Sequence, residues 1–537
     1  METVRASSLS IRIGNQETPI INNVSFSLKK GEALLVIGPT GSGKSTLLLT
    51  LAGVIPELLN GDVRGEIKVA GHDPVMEGLR GLSGDVGIVF QDPESQVIMD
   101  TVYEEVAFPL ENFLFDRNRI GEKVVKCLEN YNLLHFSQEQ TDILSTGLKQ
   151  RLALASVLCF EPKVLLLDEP TAHIDPMSSI KVYELLKKYK ERGGTLIVVE
   201  HRLDYLLGLV DKVLFLYKGT GRLFSSFREL MNTIPLESLA NAGIWLPFTL
   251  LPTRTSTRLI KENKPQEGKD GEPIIRVKNL TVRLDENLIL KNISFETKSR
   301  SLLVIIGPNG SGKTTLLKVL AGLIKRYQGD VSILGRPPSL HATAYVSQIP
   351  EHQFTERTVV EEVASTLLQR KVAKKDALSI ARGELEKRGL GYLSDRGVYE
   401  ISQGEKRLVS LIEMELLDRP VYLLDEPTFG LDFKYTMHAV EWINRLVVEG
   451  KTVVLVTHDA WLLLLFNAKI IGLSNGEIIF QGSFKELLTR RSIWEDLNFS
   501  PPSDLLNIEN LDRLDYLIEE THSKVFSYYE ARVRQLP

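Results

Sequence analysis

The stretch GPTGSGKST at 38–46 returns as GPNGSGKTT at 307–315, so one chain carries the same glycine-rich loop twice. Both copies fit G-x-x-x-x-G-K-[ST], in which backbone amides point at phosphate oxygens and the lysine reaches the terminal phosphates. The candidate phosphate-binding residues are Gly38, Pro39, Thr40, Gly41, Ser42, Gly43, Lys44, Ser45 and Thr46 in the first copy. In the second they are Gly307, Pro308, Asn309, Gly310, Ser311, Gly312, Lys313, Thr314 and Thr315. Each loop follows a Val/Leu/Ile run, Ala33–Ile37 or Leu302–Ile306, and precedes an apolar helical pattern. Strand, loop and helix are expected in that order, and two nucleotides with them.

The repeat reaches far beyond the loops. Lys44 and Lys313 are 269 apart, whereas Gln91 and Gln348, Ser145 and Ser402, Glu169 and Glu426, and His201 and His458 are each 257 apart. A constant offset over such different composition means two copies of one fold. The 12 surplus residues of the first copy lie between Lys44 and Gln91. The Gly-rich stretch 58–84 is the expected place for them, as a longer hairpin or loop.

The chain has 537 residues, 43% of them hydrophobic and 25% charged, with a net charge of −5. That balance provides no global basic footprint for nucleic acid. Two cysteines, Cys127 and Cys159, make neither a disulfide framework nor a zinc or iron–sulfur cluster, which suits a reducing compartment. The start METVRASSLSIRI lacks the apolar centre of a signal peptide. The apolar stretches 242–252 and 461–473 are too short to span a bilayer, so any membrane role needs a separate partner.

Non-alternating apolar runs at 163–167 and 195–199, and at 421–424 and 452–456, predict strands buried on both faces of a mainly parallel sheet. Helix formers fill 119–130 and 373–388. The expected organisation is an α/β chain of two nucleotide-binding domains, 1–225 and 273–483. Extensions follow at 226–252 and 484–537, where FRELM at 227–231 matches FKELL at 484–488. The polar stretch 253–272 reads as a flexible linker.

VLLLDEP (164–170) and VYLLDEP (421–427) each end in two carboxylates at the carboxyl edge of a strand, where open α/β sheets bind ligands. Asp168 and Asp425, with the hydroxyls of Ser45 and Thr314, suit Mg²⁺; Glu169 and Glu426 suit orienting or deprotonating the attacking water. His201 and His458 end the strands LIVVEH and VVLVTH, 32 residues after their glutamates, and suit sensing the γ-phosphate. Gln91 and Gln348 are placed to reach both Mg²⁺ and the water.

This order of P-loop, Gln, Ser-x-Gly, Asp-Glu and His resembles the ATP-binding-cassette (ABC) ATPases. The resemblance implies P-loop NTPase domains, each with a mainly parallel sheet core, a small antiparallel β-subdomain and a helical subdomain. The family signature, usually Leu-Ser-Gly-Gly-Gln, appears as LSTGLKQR (144–151) and ISQGEKR (401–407). Ser145 with Gly147, and Ser402 with Gly404, are kept; the first glycine is replaced by Thr146 and Gln403. The resemblance implies that each signature caps the ATP of the opposite cassette in a head-to-tail sandwich. The family's usual aromatic under adenine is replaced, with Ile13 and Leu284 near its place.

VFQDPESQVIMDTVYEEVAFPLEN (89–112), echoed by SQIPEHQFTERTVVEEVAS (347–365), is similar to the ATPases of energy-coupling-factor (ECF) and cobalt/nickel importers. Gln96 and Gln353 match the second glutamine of that subgroup. The similarity implies a peripheral ATPase on the cytoplasmic side of the membrane, docked near its Gln loops on coupling and substrate-binding subunits. The transported molecule would be a vitamin or transition-metal ion. The alternative is a soluble tandem ABC ATPase acting on ribosomes or nucleic acid.

Overall fold

Each half of the chain builds the same pair of sheets. The computed structural model describes residues 2–245 and 273–501, apart from 15–17, 40, 114, 172–173, 175, 204–205, 207, 236–237, 240–241, 286 and 467. The predicted linker and most of the two predicted extensions' ends, 246–252 and 502–537, lie outside the described residues, as does Thr40. The described residues form two compact units, one in each half.

In the first unit the strands are β1 (Glu2–Ile13), β2 (Ile21–Lys29), β3 (Ala33–Ile37), β4 (Gly61–Val69) and β5 (Val86–Val89). They continue with β6 (Val164–Asp168), β7 (Thr195–Val199), β8 (Lys212–Tyr217) and β9 (Thr220–Phe224). A three-stranded antiparallel sheet runs β2-β1-β4, and a six-stranded sheet runs β5-β6-β7-β3-β8-β9. Strands β5 to β8 pair in parallel, and only β9 is antiparallel to its neighbour.

The second unit repeats this with β10 (Ile275–Leu284), β11 (Asn287–Thr297), β12 (Leu302–Ile306), β13 (Gln328–Ile333) and β14 (Thr343–Val346). Then come β15 (Val421–Asp425), β16 (Thr452–Val456), β17 (Lys469–Ser474) and β18 (Glu477–Gly482). The orders β11-β10-β13 and β14-β15-β16-β12-β17-β18 match the first unit strand for strand.

The uninterrupted apolar runs follow from burial of the large sheet on both faces. Val36, Leu166, Ile197 and Leu214 on one face pack with the P-loop helix Lys44–Leu51 and the antiparallel sheet. Leu35, Leu165, Leu167 and Val198, on the opposite face, are equally sealed. Separate apolar clusters join the helices Val102–Asn112, Arg117–Asn130 and Thr146–Cys159. Their counterparts in the second unit are Val359–Gln369, Lys374–Lys387 and Gln403–Leu417.

The surplus of the first unit is not simply loop. The offset falls from 269 at Leu51 and Leu320 to 264 at Val69 and Ile333, then to 257 at Val89 and Val346. The second step coincides with a helical segment, Pro74–Leu82, broken at Gly78 (φ +61°), that the second unit lacks between β13 and β14. Local chemistry explains it: Pro74 pre-sets the first helical turn, and the Asp73 carboxylate accepts from Val75 N (3.0 Å) and Met76 N (3.2 Å).

Leu166, sealed at the centre of β6, reports on this core. Leu166→Ala is expected to cost about 2–5 kcal/mol, seen as a lower urea midpoint for the first unit.

Candidate functional site

The strand order places four motifs side by side. Gln91 follows β5, Asp168 and Glu169 close β6, His201 follows β7, and the P-loop follows β3; β5, β6, β7 and β3 are consecutive neighbours in the sheet. All four run parallel, so their carboxyl ends share one edge. Gln348, Asp425 with Glu426, His458 and the second P-loop stand the same way after β14, β15, β16 and β12.

Both P-loops lie directly on a strand. A Cβ on Gly38 would sit 2.2 Å from the Leu216 carbonyl oxygen, and one on Gly307 would sit 1.9 Å from that of Leu473. Only glycine permits that approach. Gly43 and Gly312 take left-handed conformations (φ +95° and +99°) to turn the chain into the helices Lys44–Leu51 and Lys313–Leu320. No side chain caps either helix, so their first amides remain directed into the loop. Lys44 Nζ donates to the carbonyls of Gly38 (2.9 Å) and Pro39 (3.0 Å), and Lys313 Nζ to those of Gly307 (2.8 Å) and Pro308 (2.7 Å).

The two glutamates are held in a strained backbone. Glu169 and Glu426 have φ of +45° and +48°, with their amides bonded to Val199 O (2.9 Å) and Val456 O (3.0 Å). In the first unit the Glu169 carboxylate receives Gln91 Nε2 at 2.9 Å on one oxygen and lies 3.0 Å from His201 Nε2 on the other. In the second, His458 Nε2 lies 3.1 Å from Glu426 Oε1, and the His458 backbone N–H donates to Oε2 at 3.3 Å. No hydrogen bond joins Gln348 to Glu426, among the described residues; the expected symmetry of the glutamines therefore does not extend to their contacts. Tyr345 Oη instead donates to Asp425 Oδ2 at 3.3 Å, where the first unit has Ile88.

The signature serines begin helices of the other subdomain. Ser145 caps Thr146–Cys159, accepting from Leu148 N, and Ser402 caps Gln403–Leu417 in a capping box with Glu405. Gly147 is buried one residue into the first of these helices. A Cβ on Gly404 would strike the Tyr435 ring at 2.3 Å. Gln403, in place of the usual glycine, turns sideways and donates to Glu351 Oε1 at 2.8 Å.

The segment between Gln loop and helix has a set of braces common to both units. Gln96 accepts from Phe90 N and donates to Ile88 O, both at 3.0 Å. Gln353 does the same for Ser347 N (3.3 Å) and Tyr345 O (2.8 Å). Glu105, buried, accepts from Ile98 N and Met99 N at 2.9 Å, and Glu362 from Thr355 N (2.7 Å) and Glu356 N (2.6 Å). Lys149 pairs with Glu94 at 2.8 Å as Lys406 does with Glu351 at 3.0 Å, joining signature helix to Gln segment. Arg407, only in the second unit, adds bonds to the carbonyls of Ser347 (2.7 Å) and Gln348. The bracing acids were missed in the sequence, although Glu105 and Glu362 share the 257 offset and stand on otherwise apolar helix faces.

Hard oxygen donors collect beside each P-loop. Asp168 Oδ1 is buried without a hydrogen-bond partner, while Ser45 bonds that carboxyl group; Thr314 stands likewise to Asp425. These few oxygens fit Mg²⁺, which keeps waters and phosphate oxygens as its remaining ligands. Burial raises both aspartates above the usual range and pushes Glu426 up to about 8. Because its folded value is raised, Glu426 contributes stability present below about pH 4.5 and lost as pH rises through about 8. In EDTA without nucleotide, calorimetry should therefore show the melting temperature of Glu426→Gln gaining on that of the parent between pH 5 and pH 9.

Comparison with known proteins agrees with this fold. The family model described as ABC transporter matches residues 21–172 and 290–429. A Bacillus subtilis protein provisionally named HMP/thiamine import ATP-binding protein is 33% identical over 515 residues, covering 91% of this chain and 93% of its own. A Methanosarcina mazei protein provisionally named ABC transporter ATP-binding protein is 32% identical over 485 residues, covering 88% of this chain and 93% of its own. An archaeal ribosome recycling factor, solved with a ribosomal stalk protein, covers 90% of this chain and 91% of its own with a TM-score of 0.62. At 21% identity that likeness concerns the fold alone. The chain belongs to the ABC transporter family, as an ATP-hydrolysing protein with two cassettes in tandem.

Proposed function

We propose that this chain is the energy-coupling ATPase of an ECF-like membrane importer, converting ATP hydrolysis into uptake of a vitamin or transition-metal ion. The observation that carries the reading is the doubly braced Gln segment. Gln96 and Gln353 tie it to its strand, Glu105 and Glu362 tie it to the following helix, and Ile98 and Ile349 are left exposed beside it. A rigid, partly apolar surface attached to the Gln loop suits docking of a membrane subunit whose motion must reach the nucleotide. The full-length similarity to the HMP/thiamine import protein supports the same reading. Among the described residues, no helix is long and apolar enough to cross a membrane, so the spanning part belongs to partner subunits in this reading.

In the proposed cycle the P-loop amides, Lys44 and Lys313 hold the phosphates of two ATP molecules. Ser45, Asp168 and Gln91, and Thr314, Asp425 and Gln348, would hold Mg²⁺. The ion would neutralise charge on the transferred phosphoryl group. Glu169 and Glu426 orient and deprotonate the attacking water, a task to which the raised value of Glu426 is matched. His201 and His458, against those glutamates, sense the γ-phosphate. Ser145 with Gly147, and Ser402 with Gly404, complete the site of the opposite cassette, so ATP closes the pair and hydrolysis releases it.

Glu169→Gln or Glu426→Gln is expected to slow turnover by about 10²–10⁴ and to leave unhydrolysed ATP on the protein after gel filtration. Normal hydrolysis by both variants would show the base to be misassigned. Affinity capture of the chain from detergent-solubilised membranes should bring down a polytopic membrane protein; capture of ribosomes alone would favour the soluble alternative.

A further inference from the structure

Beside two otherwise matching histidines, the lobes differ at the preceding residue, Glu200 in the first and Thr457 in the second. Glu200 is 3% exposed. Its Oε1 accepts the His201 backbone N–H at 3.0 Å. Its Oε2 accepts from Thr171 Oγ1 at 2.8 Å and from Tyr183 Oη at 3.3 Å, and those two hydroxyls are 3.1 Å apart. The His201 carbonyl in turn accepts from Trp245 N at 3.2 Å, so the histidine is held on both sides of its backbone. Thr171 lies two residues beyond Glu169, and Tyr183 lies on the helix Pro176–Glu191. One buried carboxylate thus ties the segment after Glu169, that helix and the turn carrying His201.

The second lobe serves as an internal control. There Thr428 keeps the threonine of position 171, and Val440 replaces Tyr183. Thr457 is fully buried, its Oγ1 accepts from Asp459 N at 3.0 Å, and the chain leaves β16 there for the helix Ala460–Leu465 with no acid at the position of Glu200. The fold therefore does not require a carboxylate at this place. Burying one is unfavourable unless hydrogen bonds compensate, and the first lobe supplies Tyr183 in addition to the shared threonine to do so. The cost is met only behind one of the two histidines.

We propose that Glu200 is a positioning residue confined to the first nucleotide site, holding His201 and the Thr171 segment so that the imidazole stays against Glu169. The inference rests on the reading of Glu169 as the residue that orients the attacking water. The two sites then differ in how their histidines are steered. The His201 main chain is fixed from behind, whereas the His458 main chain bonds the Glu426 carboxylate itself, so histidine and glutamate move together there.

The test is single-turnover phosphate release from labelled MgATP with the full chain in excess, in backgrounds that slow one site at a time. In the Glu426→Gln chain, adding Glu200→Thr should slow release about tenfold or more, the scale of a misplaced catalytic contact. Glu200→Gln, which keeps an acceptor for the His201 N–H, should recover the rate to within about threefold of its background. ATP affinity and melting temperature should be little changed. In the Glu169→Gln chain, Glu200→Thr should alter the rate less than about twofold, because the site it serves is already disabled. Equal slowing in both backgrounds, no slowing in either, or failure of Gln to outperform Thr would overturn the proposal. A normal rate in a chain carrying both Glu169→Gln and Glu426→Gln would instead overturn the base assignment, a separate outcome.

Discussion

Everything at the nucleotide edge depends on parallel pairing of four adjacent strands. Once β6 and β7 pair in register, with Asp168 opposite Val199, the carboxylates and the turn to His201 must emerge together. Once β7 pairs with β3, the P-loop emerges beside them. No single hydrogen bond among the catalytic candidates has to assemble the site, because the backbone ladder has already done so. Those bonds select orientations within a few ångströms. The left-handed backbone at Glu169 and Glu426 belongs to this logic, since each of those amides bonds the last residue of the neighbouring strand.

The doubling makes it possible to separate what the fold demands from what each site adds. Features present in both units include the lysine folded onto P-loop carbonyls, the glutamine clamp on the strand exit and the acid bracing the next helix. Features present once include Arg407 over the Gln-loop carbonyls, Tyr345 on Asp425 and the Glu200 cluster. Shared features secure the architecture of a cassette. These three touch the Gln loop, the aspartate or the histidine, the parts to which the proposed function assigns hydrolysis.

Much of this was legible in the amino-acid string. Buried parallel strands show as unbroken Val/Leu/Ile runs, and Ala33–Ile37, Leu302–Ile306, Thr195–Val199 and Thr452–Val456 form as read. The segment Pro74–Leu82 was not legible because Gly78 breaks it into two short turns, and Asp73 with Pro74 supplies the start signal instead. Strand order is invisible locally, because it arises from tertiary pairing. Glu200 escaped for a related reason: it reads as the polar end of an apolar strand, while its partners Thr171 and Tyr183 lie 29 and 17 residues away. Nor does the string show where the Gln403 side chain goes, because its acceptor, Glu351, lies 52 residues away.

The unequal segment between the P-loop and the Gln loop bears on how the two halves could diverge. All twelve surplus residues are spent before Val89, and from there to the histidines the halves are equal in length. A genetic exchange between the halves beyond that point would conserve reading length and keep every strand edge in phase. An exchange spanning the inserted helix would change the length of the recipient. Differences such as Glu200 against Thr457 therefore stand in the portion where one half could replace the other with no change of length.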